Sequence, residues 1–343
     1  MPQLWRQHDD YTHMRQFAHN LDLPQSLDSL ISVAKRVEKA AQPEATIRAY
    51  GNDANNFAIY VDCTKLPSLK IDDPDIIRAF AMWGVERGNK LSSVKRWFSG
   101  VRDMYKREGW TFPLSWRDEK RFFQQLRGEL ARSKDNAKLV EVKIKHAFSD
   151  ELIFAALASC DLSTLQGMEE HAILSNGIAG MLRRSEFCAF RIQDRRRDPR
   201  GHIMSLPRSK TNQYGPPQHV PILLGSDPAT CPVRSLDRYV AALEAHGVTE
   251  GALYRPIDYR DRPIDRGISA STVARIVKRL LLRAGVPEDE LDLYGAHSMR
   301  RTGICKRIKE GLSPETVMLL ARIARRSTLE QYVEDPFYWL RFQ

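Results

Sequence analysis

Apolar residues recur at helical spacing along almost the whole of this chain, and the rhythm breaks clearly in one place. Leu27, Leu30, Ile31, Ala34 and Val37 follow Ser26, which can cap the free amides of a first turn, so a helix is expected to about Ala41. After Pro43, the residues Ile47, Tyr50, Ala54, Phe57 and Tyr60 or Val61 share a second stripe, with Cys63 near its end. Asp72 and Asp73 before Pro74 start a third helix, over about 74 to 87. Val94, Phe98, Val101 and Tyr105 line one side of a fourth, and a fifth lies around Arg117 to Leu130. The next begins at Ser149, where SDEL offers a cap and acidic first-turn residues, and helices continue over about 150 to 160 and 167 to 190. There the pattern changes. GHIMSLPRSK and QHVPILL are short β-compatible runs on either side of TNQYGPP, which reads as a hairpin or small sheet with a long turn. Helical spacing resumes over 232 to 246, 270 to 285, 297 to 310, 313 to 323 and 326 to 333. The fold class expected is mainly α, with one small antiparallel β-sheet.

With 343 residues, 42% of them hydrophobic and 28% charged, the chain has apolar material for two ordinary cores. The stretch ARSKDNAKLVEVKIKHAF is polar and weakly periodic. It suggests a linker at 133–147 between a helical domain at 25–132, preceded by an N-terminal extension at 1–24, and a second domain at 148–343. Lys and Arg number 53 against 43 Asp and Glu, a net charge of +10. The first 135 residues hold 22 basic and 18 acidic residues, and the rest hold 31 and 25. An excess carried by both domains favours a long polyanion touched by both, nucleic acid first. On charge alone, a protein that is merely basic is an equal alternative.

The five cysteines, Cys63, Cys160, Cys188, Cys231 and Cys305, lie far apart and without CxxC spacing, which argues against a zinc site or a disulfide framework. The opening MPQLWRQHDD carries charge where a signal peptide needs an apolar run, and no apolar stretch approaches the 18 residues of a membrane span. A soluble, cytoplasmic protein without membrane contact is expected.

Within LSSVKRWFSGVRDMYKREGW, Lys95, Arg102 and Lys106 line a face away from the apolar stripe. A solvated helix face is the alternative reading. Ser92, Ser93, Arg96 and Ser99 lie beside these cations and can all bond phosphate oxygens, so this helix is the candidate DNA contact of the first domain.

There is no Gly-rich phosphate loop, no HExxH, no GxSxG and no acidic cluster with metal spacing. What remains is a set of cationic and phenolic residues: LRRSE at 182 to 186, SKT at 209 to 211, HSMR at 297 to 300 and QY at 331 to 332. Cleaving a phosphodiester without metal requires the nonbridging oxygens to be neutralised as charge builds in the transition state, which two forked arginines do well. It also requires a nucleophile, which a tyrosine activated by cations can be, and a proton donor for the leaving oxygen, which a lysine or histidine can be.

An arginine in L-R-x-x-E, a lysine on a hairpin 27 residues on, an H-x-x-R some 90 residues later and a tyrosine 32 residues after that second arginine resemble the tyrosine recombinase (phage integrase) family. The resemblance covers about 148 to 335. In the first domain, Thr46 to Cys63 also looks like the second helix of the family's core-binding domain. The family implies a two-domain clamp on DNA: an all-helical core-binding domain, and a mainly helical catalytic domain with a small sheet.

By position, the resemblance makes Arg183 the first catalytic arginine and Glu186 the acid that buttresses it. Arg184 is the alternative arginine, about 100° round a helix from the face that Arg183 and Glu186 would share. Lys210 matches the lysine that protonates the leaving 5′ oxygen, with Arg208 a competitor able to grip the backbone instead. His297 and Arg300 match the histidine and second arginine, and Tyr332 the nucleophile, with Tyr338 a rival phenol. One family feature is missing. The histidine or tryptophan usual nine residues before the tyrosine, often preceded by glycine, is Ile323 here. Arg322 or Arg325 would substitute after a local shift, Arg322 by preference, or the site runs with one donor fewer.

The function implied is site-specific recombination through a 3′-phosphotyrosyl link and a Holliday junction, without metal, ATP or other cofactor. Four protomers would act on two double-stranded DNA sites, a dimer on each, in association with the nucleoid. The aromatic tail PFYWLRFQ would dock on a neighbouring protomer or fold back on its own. The alternatives are an integrase-like DNA-binding protein with impaired catalysis, or a telomere resolvase or relaxing type IB topoisomerase using the same chemistry.

Overall fold

The computed structural model describes residues 44–65, 72–142, 144–207, 212, 215–333 and 338. The N-terminal extension and the helix expected from Ser26 lie outside the described residues. The chain divides into two compact units, Met1–Val142 and Lys143–Gln343.

In the first unit, helices stand where apolar stripes follow a capping residue. They are α1 (Glu44–Thr64), α2 (Pro74–Glu86), α3 (Leu91–Arg107) and α4 (Trp116–Arg132). Asp73 accepts a hydrogen bond from the Asp75 amide with Pro74 in the first turn, and Ser115 accepts one from the Asp118 amide. The core gathers Phe57 and Tyr60 of α1, Phe80 of α2, Phe98 and Tyr105 of α3 and Phe123 of α4, whose rings meet edge-on, tilted or stacked. The α1 stripe is shifted from expectation: Ile47 is 47% exposed, and Asp53 is buried in its place.

The close crossing of α1 and α3 explains this. A Cβ on Gly100 would sit 2.5 Å from the Asp53 Cβ and 3.1 Å from the Tyr50 Cα, so only glycine fits there. Asp53 is tied to Arg96 at 3.0 Å. Burial pushes its carboxyl up, and Arg96 pulls it partly back.

The second unit opens with α5 (Asp150–Ala158), capped by Ser149, and α6 (Leu165–Ala179), capped by Thr164. The helix expected to run on to 190 instead stops at Ala179. Met181 takes a left-handed conformation, φ 48°, and a single turn, α7 (Arg184–Phe187), begins after it. Three antiparallel strands follow in the order β1 (Arg195–Asp198), β2 (Gly201–Leu206) and β3 (Gln218–Leu223). Met204 pairs with Val220 across the expected hairpin, and Arg195 with Met204 across the outer pair.

The edge strand β1, RRRD, carries no apolar alternation and was not expected. It is held by charge, with Arg195 and Arg197 each bonded at 2.9 Å to Asp237. The remaining helices are α8 (Pro232–Ala245), α9 (Ala270–Arg283), α10 (Ala296–Lys309), α11 (Pro314–Ala321) and the short α12 (Arg326–Leu329), with a 3-10 turn at Glu330–Tyr332. Gly177 of α6 lies against Met299 of α10, 2.5 Å from its sulfur to where a Cβ would be, which brings α10 against the chain just before Met181. Among the described residues no helix is long and apolar enough to cross a membrane.

A smaller core of Met181, Ile304, Cys305, Ile308, Val317, Ala321, Ile323 and Leu329 also takes in both Tyr332 and Tyr338. Tyr338 is fully buried, its hydroxyl donating to the Leu312 carbonyl at 2.8 Å. Of the two placements open for the tail, this residue therefore takes the one within its own unit.

Candidate active site

The break at Met181 places Arg183 at the edge of a buried polar network. Arg183 is the residue before the first turn of α7. Its amide donates to one Glu186 carboxylate oxygen at 3.0 Å, and its guanidinium to the other at 2.7 Å. Arg184 is exposed on the short helix and makes neither contact. Two further arginines converge from the far end of the sequence. Arg300 on α10 is 2% exposed and donates to the carbonyls of Met181, at 2.7 Å, and Ala321. Arg322 follows α11, and its carbonyl accepts from Arg183 at 2.9 Å. Its own guanidinium turns inward to Glu186.

Three guanidinium groups thus surround one carboxylate. Burial would raise the Glu186 carboxyl, but Arg322 and Arg183 hold it below the usual carboxylate range. Burial, together with the charges of Arg183 and Arg322, pushes Arg300 down to about 10, against the pull of Tyr332 and Glu186. Buried charge of one sign is costly unless an opposite charge balances it, so a cluster with this surplus is suited to receiving an anion.

Tyr332 closes the site. Its side chain packs in the small core at 6% exposure, and its hydroxyl lies 3.2 Å from His297 Nε2 at the exposed start of α10. Arg301, next to Arg300, lies over the Tyr332 ring at 5.6 Å and donates to the Gln331 carbonyl at 2.8 Å. Ile323 is 7% exposed within the same core, so the position nine residues before Tyr332 presents no polar group. Arg183, Glu186 and Arg322 are thus linked by hydrogen bonds, Arg300 shares the Met181 carbonyl with Arg322, and Tyr332 pairs with His297 on the helix that carries Arg300. Lys210 and Arg208 lie outside the described residues, in the connection from β2 to β3.

On α3 of the first unit, Ser92, Lys95, Arg96 and Lys106 are exposed, Ser93 is partly exposed, and Val94, Trp97, Phe98, Val101 and Tyr105 are buried. Not all of its cations stand clear. Lys95 leans over the Phe123 ring at 6.0 Å, and Arg96 is paired with Asp53. Arg102, expected on the DNA-facing side, has its guanidinium against the rings of Phe112 (4.1 Å) and Trp116 (4.6 Å) and bonded to Glu119 and the Leu114 carbonyl. That is a structural commitment, made because α4 brings a buried carboxylate beneath it. Sequence reasoning passed over Arg301, whose place beside Arg300 was a signal, and Asp53, for which polar residues on an apolar stripe give none.

No profile of a known protein family matches the chain. Over 175 residues it is 28% identical to an integrase/recombinase XerD homolog of Selenomonas ruminantium, an alignment covering 51% of this chain and 50% of that protein. The chain thus spans about half the length of the curated relative it matches. Its fold is similar to that of a lambda integrase solved as a dimer bound to a COC′ core site, with 17% identity, 96% of this chain and 82% of that one covered, and a TM-score of 0.54. It is also similar to XerH site-specific recombinase in a post-cleavage complex with palindromic difH substrate, with 14% identity, 95% and 86% covered, and a TM-score of 0.57. At these identities the likeness is one of fold: mainly helical, with a small antiparallel sheet.

Proposed function

We propose that the chain is a member of the tyrosine recombinase (integrase) family and, within it, a site-specific DNA recombinase, a strand transferase in which Tyr332 is the nucleophile. One observation carries the proposal. The Tyr332 hydroxyl faces His297 at 3.2 Å, on the same helix as Arg300, whose guanidinium is held on the Met181 carbonyl two residues before Arg183.

In this reading the Tyr332 oxygen attacks a phosphorus of duplex DNA while neutral His297, accepting at Nε2, takes the phenol proton. Arg183 and Arg300 neutralise the nonbridging oxygens as the pentavalent transition state forms. The bond from phosphorus to the 5′ oxygen breaks, and Lys210 supplies that oxygen with its proton. The product is a 3′-phosphotyrosyl link and a free 5′-hydroxyl. Attack of a 5′-hydroxyl from the partner strand reverses these steps, so the bond energy is conserved in the covalent intermediate. Arg301, over the Tyr332 ring, favours a developing phenolate. The exposed cations of α3 supply sequence-independent grip on the duplex, and four protomers assemble on two sites.

The buried Ile323 supports a second reading, a DNA-binding relative with impaired cleavage, because one donor to the phosphate is lacking. A duplex nicked beside the cleavage position, which traps the covalent product, separates the two. The recombinase reading expects a protein–DNA adduct that disappears in Tyr332→Phe with affinity unchanged. Binding without any adduct would support the second.

A further inference from the structure

Arg322 stands in a conformation that suits glycine better than any residue with a side chain. It ends α11 with φ 55° and ψ 47°, in the left-handed region. Something in the fold must hold it there, and its own side chain does. Arg322 is 6% exposed, and its guanidinium donates to Leu320 O at 2.8 Å, Gly180 O at 3.1 Å, Met181 O at 3.0 Å and Glu186 Oε2 at 2.8 Å. Met181 is itself left-handed, and its carbonyl also receives Arg300 at 2.7 Å. The two left-handed residues thus carry carbonyls that aim the two arginines of the site: Met181 O aims Arg300, and Arg322 O aims Arg183.

We infer that Arg322 is a positioning residue, which ties Glu186 to the Gly180–Met181 backbone and so fixes the direction in which Arg183 and Arg300 present their donors. The inference rests on the recombinase reading. It differs from a role as the missing phosphate donor, since both terminal nitrogens are engaged with protein acceptors. Nε has no acceptor among the described residues, so direct contact is a distinct outcome that the test can detect.

Arg322 also bears on the charge of Glu186. The groups facing that carboxylate are Arg183 and Arg322 by hydrogen bond and Arg300 through space. Without Arg322 the carboxyl titrates at higher pH, and its protonation releases Arg183.

The test compares wild type, Arg322→Gly and Arg322→Lys in covalent-complex formation on a nicked duplex at saturating DNA, with duplex affinity measured alongside. Glycine accepts the left-handed backbone, and lysine keeps the buried charge without the fork, so the lysine variant carries the test if the glycine variant does not fold. The expected result is affinity unchanged, cleavage slowed about tenfold or more in Arg322→Gly, in the range for partners that orient a working group, and a smaller loss in Arg322→Lys. The acid limb of the glycine variant's pH profile should move upward, and combining it with Glu186→Gln should cost little more than either change alone. Wild-type cleavage in both folded variants would overturn the inference, as would additive losses with Glu186→Gln, which would mark direct contact with DNA. A wild-type protein giving no adduct would instead bring down the recombinase reading, and this inference with it.

Discussion

Arg96 and Arg102 of the first unit each have a carboxylate of their own, whereas Arg183, Arg300 and Arg322 of the second unit gather around the single carboxylate of Glu186. In the first arrangement charge is balanced locally, and the guanidinium becomes part of the packing. In the second, positive charge is left over and buried, and backbone carbonyls hold the donors in place without cancelling them. The same side chain is thus structural in one unit and, in the proposed function, part of an anion site in the other. What decides is the count of carboxylates, together with the turns that supply the carbonyls.

The largest effect that would break this contrast is at the site itself. Arg300→Ala should lower covalent-complex formation by about 100- to 1000-fold, roughly 2.7–4 kcal/mol of transition-state stabilisation, while duplex affinity stays near wild type. Equal loss of binding and cleavage would remove the distinction between site and grip.

A second comparison lies between two buried carboxylates of the second unit. Glu186 is held low by its arginines, but burial pushes Glu169 from 4.5 up to about 8, against hydrogen bonds from the Arg255 amide and the Tyr239 hydroxyl and the more distant charge of Arg279. Its folded form retains a proton that the unfolded chain releases. Stability is therefore greatest below pH 4.5 as far as this group is concerned, and is lost as pH rises towards 8. Each unit of displacement corresponds to about 1.4 kcal/mol, so a melting temperature followed from pH 5 to 8 should fall by several degrees, and Glu169→Gln should flatten the fall.

Next in size is Arg102→Ala, which strips the partner from buried Glu119 and should cost about 1–3 kcal/mol of stability, read by thermal denaturation. A loss of DNA affinity at unchanged stability would instead put Arg102 back on the DNA. Smallest is Lys95→Ala or Lys106→Ala. Each should weaken duplex binding a few-fold and reduce the slope of affinity against salt by about 1, with cleavage at saturating DNA unaffected.

Much of this architecture was legible in the residues because it depends on local chemistry. Asp73 and Ser149 cap helices where the apolar stripes begin, and the pairing of β2 with β3 shows as two β-compatible runs on either side of TNQYGPP. His297 and Arg300 share a helix, as their spacing requires. The parts that were not legible depend on distant contacts. RRRD becomes a strand because Asp237, some 40 residues on, receives its arginines. The helix expected over 167 to 190 stops at Ala179 because Met181 turns left-handed where Arg300 and Arg322 bond its carbonyl. Arg102 reads as one more surface cation until Glu119, Phe112 and Trp116 enclose it.

In the proposed reaction one phenol, Tyr332, becomes bonded to DNA phosphorus. Its most direct test is to trap the adduct on a nicked duplex, digest the protein and identify the nucleotide-bearing peptide by mass spectrometry. A single modified residue, Tyr332, is expected in the peptide containing LEQYVED, and none in Tyr332→Phe. Modification at Tyr338, or an adduct that survives Tyr332→Phe, would contradict it.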